Sequence, residues 1–307
     1  MNMQCAALSD RFISITGPDA SKFLQGQASC DIDNLSNTRF SYGTLNTPKG
    51  RMYCLFKVIK IKNGLLLSMN ASLLEKTLTT LNKYAVFFKC TLTEETSYRA
   101  AGIFVEDNYD EFLSAVNNDD NTVFSLSQHQ NAYWLNLSSK KHLCVIWYNE
   151  DEGKPISLKE MGALSKEEWL SKETCCGIPE LYDNSSEEFI LQTLNLQKLG
   201  AVSFKKGCYT GQEIIARMKF LGKVKKQCYL LKSNSQDTAS PMDAIYDAEG
   251  NKCGTVVRSH TSSMNGTCAL CILTIERALQ HNALYLDESL TQPYTVEEID
   301  YSEYTEV

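Results

Sequence analysis

The sequence predicts an α+β protein made of two ferredoxin-like lobes, each a split β-α-β-β-α-β unit, followed by a small antiparallel β-barrel. Three observations predict it. Over the first hundred residues, strand-like and helix-like stretches alternate in that order. A looser second copy follows, and from Lys223 onward only short strands recur at close spacing. The expected boundaries are 1–95 for the first lobe, 96–220 for the second and 221–307 for the barrel.

In the first lobe, residues 12–16 read as a strand, and Gly17-Pro18-Asp19 opens a helix with proline at its favoured first turn. That helix buries Phe23 and Leu24 and stops at Gly26. Strands at 51–62 and 65–69 flank Asn63-Gly64, a strong hairpin signal. Asn70 caps a helix reaching Tyr84, with Leu74, Leu78, Leu81 and Ala85 at helical spacing, and 86–93 closes the set as a strand. In the second copy the expected elements are a strand at 101–105, a helix at 110–116, and strands at 123–126, 132–137 and 142–148. Ser165-x-x-Glu168 is a capping box opening a helix that Gly177 ends, and Ser185-x-x-Glu188 is another before 189–196. The barrel strands are expected at 223–232, 244–246, 253–259, 267–274, 283–286 and 293–296.

Composition narrows the functional classes. At 307 residues, with 43% hydrophobic and 22% charged residues, the chain can bury several cores and is ordinary for a globular protein. It carries no apolar run of the ~18 residues that cross a bilayer and no signal-like N-terminus, so a cytoplasmic address is expected. The twelve cysteines are scattered, several in apolar runs, so most are expected reduced and buried. The single CxxC, Cys268 to Cys271, lacks a second pair at zinc spacing, and the four histidines are dispersed; no metal site is expected. A net charge of −7 argues against a general nucleic-acid binder and leaves room for a local basic patch.

The chemistry concentrates in residues 203–226. Thr210-x-x-Glu213 is a capping box, with Ile214, Ile215, Met218 and Leu221 as the apolar face of the helix and Gly222 as its stop. Cys208 therefore sits just before a helix N-terminus beside Lys205 and Lys206, two features that favour a thiolate. A tucked-in loop cysteine is the alternative, since the effect depends on exposure. Lys205, Lys206, Arg217, Lys219, Lys223, Lys225 and Lys226 against Glu213 give the segment a net +6. That is either a solvated face or a site for a polyglutamate tail or RNA phosphate.

Lys206-Gly207-Cys208-Tyr209-Thr210-Gly211-Gln212-Glu213, followed by Ala216-Arg217, resembles the signature of the YgfZ family. Phe23-Leu24-Gln25-Gly26-Gln27, Pro48-Lys49-Gly50-Arg51-Met52, Lys83-Tyr84-Ala85-Val86-Phe87, Gly177-Ile178-Pro179 and Gly200-Ala201-Val202-Ser203-Phe204 resemble further blocks of it. The likeness is weakest at about 95–160 and beyond 275. It implies a ring of three domains binding tetrahydrofolate near its centre, and a role in maturing or repairing iron–sulfur enzymes, among them the radical enzymes that thiolate tRNA. Folate is the implied cofactor. Cys208 is the implied functional thiol, with Lys206, Tyr209, Gln212, Glu213 and Arg217, and also Gln25, Gln27 and Arg51, as expected folate-site residues.

The related glycine-cleavage T-protein suggests aminomethyl transfer to tetrahydrofolate as the competing function. T-proteins carry Gly-Gly-Ile-x-Asp-Asp-Leu, whose acid manages protons, where this chain has Lys49-Gly50-Arg51-Met52-Tyr53-Cys54-Leu55. Cys175 stands where a second T-protein block has its pterin-gripping glutamate, and Glu173 lies two residues away. An RNA-interacting module using the 205–226 basic patch is the third possibility.

Overall fold

In the computed structural model, residues 2–118, 120–220, 222, 224–280 and 283–304 are described. The chain is a mixed α/β fold of three sheets with few helices. Strand β1 (Met3–Ala7) leaves at once for the second sheet, while β2 (Arg11–Thr16), α1 (Ala20–Gln25), β3 (Ser41–Asn46), β4 (Met52–Ile61), β5 (Gly64–Met69), α2 (Leu74–Ala85) and β6 (Thr91–Glu94) supply the first sheet and its helices. That sheet runs β3-β4-β5-β2-β6, antiparallel throughout, with β3 additional to the expected strands. Ile61 pairs with Gly64, so the hairpin loop is Lys62-Asn63, one residue earlier than the Asn-Gly signal suggests. Asn70 accepts from Ser72 N at 3.0 Å, capping a 3₁₀ turn that leads into α2. The strand expected at 86–93 begins only at Thr91. Tyr84 O and Ala85 O accept from Phe87 N and Phe88 N in a turn, Phe88 packs on Phe23, and Val86 and Phe87 are left exposed.

The second sheet gathers β7 (Tyr98–Val105), α3 (Tyr109–Ala115), β8 (Leu126–His129), β9 (Ala132–Ser138) and β10 (Leu143–Asn149). A short α4 (Ile156–Lys159) and β11 (Gly162–Ala163) precede α5 (Lys166–Cys175). The order is β11-β1-β7-β10-β9-β8, so the N-terminal strand is held between β11 and β7. The strand expected at 123–126 starts at Leu126, because Phe124 takes a left-handed turn (φ 67°) that sends its ring against Phe40 and Tyr42. Ser165 accepts from Glu168 N at 3.1 Å and so caps α5. The helix expected at 189–196 reduces to a 3₁₀ turn, Leu191–Leu194. Backbone groups of Glu187 and Phe189 bond to Met52, and the Gln192 and Asn195 amides donate to Ile215 O and Cys228 O, so the segment is held as a strap.

After α6 (Gln212–Phe220), the strands β12 (Lys226–Ser233), β13 (Ala244–Tyr246), β14 (Lys252–Ser262), β15 (Gly266–Thr274) and, beyond α7 (Ile275–Leu279), β16 (Thr295–Glu297) form an antiparallel sheet ordered β13-β14-β15-β12-β16. Bridges Tyr246–Tyr285 and Leu284–Tyr294 link its two edge strands, so the hydrogen bonding returns on itself. Cys268 is disulfide-bonded to Cys175 of α5, with Cα atoms 6.3 Å apart. This corrects the expectation of reduced thiols for that pair. Cys271 faces the other way, into the core of the third sheet. Leu221, Lys223 and His281 lie outside the described residues. Among the described residues no helix is long and apolar enough to cross a membrane.

Candidate functional site

The signature segment is docked onto the first lobe by its own backbone. Thr210 N donates to Gly26 O, Ser203 N donates to Ser29 O, and Gly211 (φ 84°) passes so near the 46–50 turn that a Cβ there would lie 2.6 Å from Thr47 O. Gly50 is packed as closely on Ile214, which explains two glycines that no helix or strand pattern requires.

Lys206 is the fastener. Its ammonium donates to the carbonyls of Gln25 (2.7 Å), Ala28 (2.9 Å) and Cys30 (2.7 Å), and lies 5.1 Å from the Tyr209 ring centroid. Burial lowers its pKa, partly offset by Cys30, Asp31 and Asp33. All three ammonium hydrogens are spent on the protein itself, which leaves no free donor for the folate contact expected of Lys206. Gln25 is spent likewise, donating to Asp31 Oδ1 (3.0 Å) and accepting from Ile32 N (2.8 Å). Gln27 Oε1 accepts from Thr210 Oγ1 at 3.3 Å, Gln212 N donates to Tyr209 O, and Tyr209 is buried with its hydroxyl unpartnered. Arg51 reaches away from this cluster to donate to Glu188 O. Glu213 and Arg217 are exposed on α6, and no ion pair joins them among the described residues.

The result is a fastened loop that presents a thiol at its surface. Cys208 is exposed, whereas every other free cysteine among the described residues is buried or half-buried. Burial pushes the thiols of Cys30 and Cys54 up to about 11 and about 12, so they are poor nucleophiles at neutral pH.

A second cluster lies where the three sheets meet, and sequence reasoning missed all of it except Glu173. A cavity of about 260 Å³ is lined by Asp10, Lys57, Asn70, Trp169, Glu173, Glu180, Tyr182 and His260, among others. Beside it stands Arg258, fully buried on β14, donating through Nη1 to Glu173 Oε2 and Ile178 O, both at 3.1 Å. Its Nε and Nη2 have no hydrogen-bond partner among the described residues. Desolvation lifts Glu180 to about 7, with Arg258 and Lys57 opposing and Glu173 and Asp10 adding to the rise. Burial and Arg258 push His260 down to about 4 against its bond to Glu167 (3.0 Å). Lys57 is raised although burial works to lower it, because Asp10 stands 3.7 Å away with Tyr42, Glu173 and Glu180 near. The signal was present: Lys57 interrupts the apolar β4 and Arg258 the apolar run Val256-Val257, and a charge at an inward strand position needs a buried partner. Among the described residues no group of three or more His, Cys, Asp or Glu is placed to hold a metal ion.

No family model matches the chain. It is 30% identical over 276 residues to the tRNA-modifying protein YgfZ of Aliivibrio fischeri strain MJ11, covering 89% of this chain and 85% of that protein. The tRNA-modifying protein YgfZ of Colwellia psychrerythraea is 30% identical, with 84% and 81% covered, and that of Klebsiella pneumoniae 32%, with 71% and 68%. Among solved structures, the glycine cleavage system aminomethyltransferase T of Bartonella henselae superposes with a TM-score of 0.75 at 14% identity, over 99% of this chain and 87% of that one, so the two share a fold. On the identity and coverage of these relatives, this chain belongs to the YgfZ family.

Proposed function

We propose that the protein is a tetrahydrofolate-binding accessory factor that supports iron–sulfur enzymes and through them tRNA modification, with Cys208 as its functional thiol. The observation that carries this reading is the exposure of Cys208 alone among the free cysteines, on a loop that Lys206 fastens in place. The names of the relatives support the link to tRNA. The three sheets and the T-protein likeness support two ferredoxin-like lobes and a barrel arranged as a ring.

The junction cavity fits the polar end of a folate. The carboxyls of Glu173 and Glu180 and the amide of Asn70 line it and offer donors and acceptors for an amino-oxo heteroaromatic edge, with the guanidinium of Arg258 behind Glu173. The cavity's volume is below the ~300–1,000 Å³ of pockets that enclose a whole drug-sized ligand, so it would take the pterin and leave the tail outside. Tetrahydrofolate, when bound, supplies a one-carbon carrier and a reductant. In this reading Glu173 and Glu180 replace the acid missing at Cys175. Lys206, Gln25, Gln27, Tyr209 and Gln212 shape the Cys208 loop, and Arg51 ties β4 to the 187–189 strap.

The aminomethyltransferase alternative lacks its proton carrier. Tyr53 and Cys54, which occupy the acid block, are buried, and burial raises both pKa values, Cys54 to about 12. Complementation tests the proposal. In a bacterium deleted for its own YgfZ, this protein should restore thiolated tRNA nucleosides measured by mass spectrometry, and Cys208→Ala should not. Full restoration by the alanine variant would sink the role of the thiol.

A further inference from the structure

A groove of about 540 Å³ opens beside the signature loop, between residues 31–42, Phe124, Tyr304, the 202–205 stretch and Lys219 of α6. Its floor is rigid. Phe40, Tyr42 and Phe124 meet edge-to-face at 5.5–5.9 Å, and Tyr304 lies 5.6 Å from Phe124. Its walls carry Arg39, Lys205 and Lys219 against one acid, Asp31, which is engaged by Asn34 and Gln25.

Neither Lys205 nor Lys219 has a carboxylate within ion-pair distance among the described residues. Arg39 is partly committed, donating to Val123 O at 2.9 Å with Asp120 at 3.9 Å. The Lys219 ammonium sits 3.7 Å from the Phe204 ring centroid and 5.4 Å from that of Phe220. Phe220, the last residue of α6, is 66% exposed, which burial does not explain. Phe204 is half-buried and meets Phe220 edge-to-face at 6.1 Å. Cations beside an exposed aromatic ring form the platform on which an unpaired base stacks while its phosphate is neutralised. A paired duplex presents no free base face, so this chemistry selects a single strand.

We propose that this groove binds a single-stranded RNA segment, with Lys205 and Lys219 on phosphates and a base stacked on Phe220, which adjoins the groove through its contact with Phe204. The inference rests on the tRNA-related role proposed above and names the surface that would meet the RNA. The net charge of −7 makes the contact local, confined to this basic face.

The test is fluorescence anisotropy of a dye-labelled oligoadenylate of about 12 nucleotides titrated at several salt concentrations. The wild type should bind with an affinity that falls as salt rises. Lys205→Ala/Lys219→Ala should flatten the log–log salt slope by about 1.4, from ~0.7 per phosphate on a single strand. Phe220→Ala should weaken binding roughly ten-fold with the slope unchanged, and Phe220→Trp should restore it. Because these side chains are exposed or lie at the groove wall, unchanged thermal melts are expected and check that the variants fold. Absence of oligonucleotide binding by the wild type, binding indifferent to both sets of variants, or equal affinity for free adenosine monophosphate would each overturn the proposal. The complementation result with Cys208 is read separately, so failure here is distinguishable from failure of the accessory-factor reading.

Discussion

Lys206 shows how one side chain can carry a motif. A charge-assisted hydrogen bond contributes about 1.5–3 kcal/mol, and Lys206 makes three, to the carbonyls of Gln25, Ala28 and Cys30. Lys206→Met should lower stability by about 2–4 kcal/mol, seen as a fall in melting temperature, and should loosen the Cys208 loop. A melt unchanged from wild type would mean the three bonds are solvent-replaceable. Glu180 carries the pH dependence. Its pKa rises on folding to about 7, so between its unfolded value and 7 the native state holds a proton the unfolded chain has lost, and stability falls as pH rises. His260, lowered to about 4, acts oppositely: from 4 to its unfolded value the unfolded chain holds the extra proton, and stability rises with pH, at most about 1.4 kcal/mol per unit. The two oppose each other over the overlap. Glu180→Gln should therefore make urea-melt stability climb with pH between about 4.5 and 6.5. A slope unchanged from wild type would contradict this assignment. The signature cysteine was legible because its neighbours are contiguous. The Lys57–Glu173–Glu180–Arg258 cluster was not, because its members, the Glu173–Glu180 pair excepted, lie more than 75 residues apart in the chain, and local spacing carries no information on which strands meet.

At the scale of elements, α5 joins the second sheet to the third. Glu167 accepts from Thr261 N, Glu168 from Ser262 Oγ and Ser263 N, Cys175 is bonded to Cys268, and Glu173 pairs with Arg258. On its opposite side, the Trp169 ring lies where a Cβ on Gly102 of β7 would be 2.2 Å away. Arg258→Met would leave the Glu173 carboxylate buried without its cation, a change that costs about 3–5 kcal/mol, measurable by chemical denaturation. A loss below about 1 kcal/mol would mean that water or Lys57 replaces the arginine. The α5 capping box was readable from Ser165 and Glu168, whereas its partners were not. The strand expected at 86–93 and the helix expected at 189–196 misled for a related reason. Their apolar residues were counted by period alone, but Val86 and Phe87 sit in an exposed turn, and Phe189 to Leu196 are buried on several sides by a strap held through side-chain amides.

For the whole molecule, the sheets place two separate features on one frame: a cavity at their junction lined by carboxyls, Lys57 and His260, and an exposed thiol on a fastened loop. The α+β class and the antiparallel C-terminal strands were legible from periodicity. The crossing of β1 into the second sheet was not, because five residues at a chain end carry no signal of their partner. The Cys175–Cys268 bond was equally hidden, since twelve scattered cysteines allow many pairings. The central claim is that folate binding and thiol chemistry reside in these separate places. Titration calorimetry with tetrahydrofolate on wild type, Cys208→Ala and Glu180→Gln addresses it most directly. The account predicts binding to wild type and Cys208→Ala alike, and weakening of about ten-fold or more in Glu180→Gln, the loss of one charged hydrogen-bond partner. No binding by the wild type, or binding lost with Cys208 and untouched by Glu180, would contradict it.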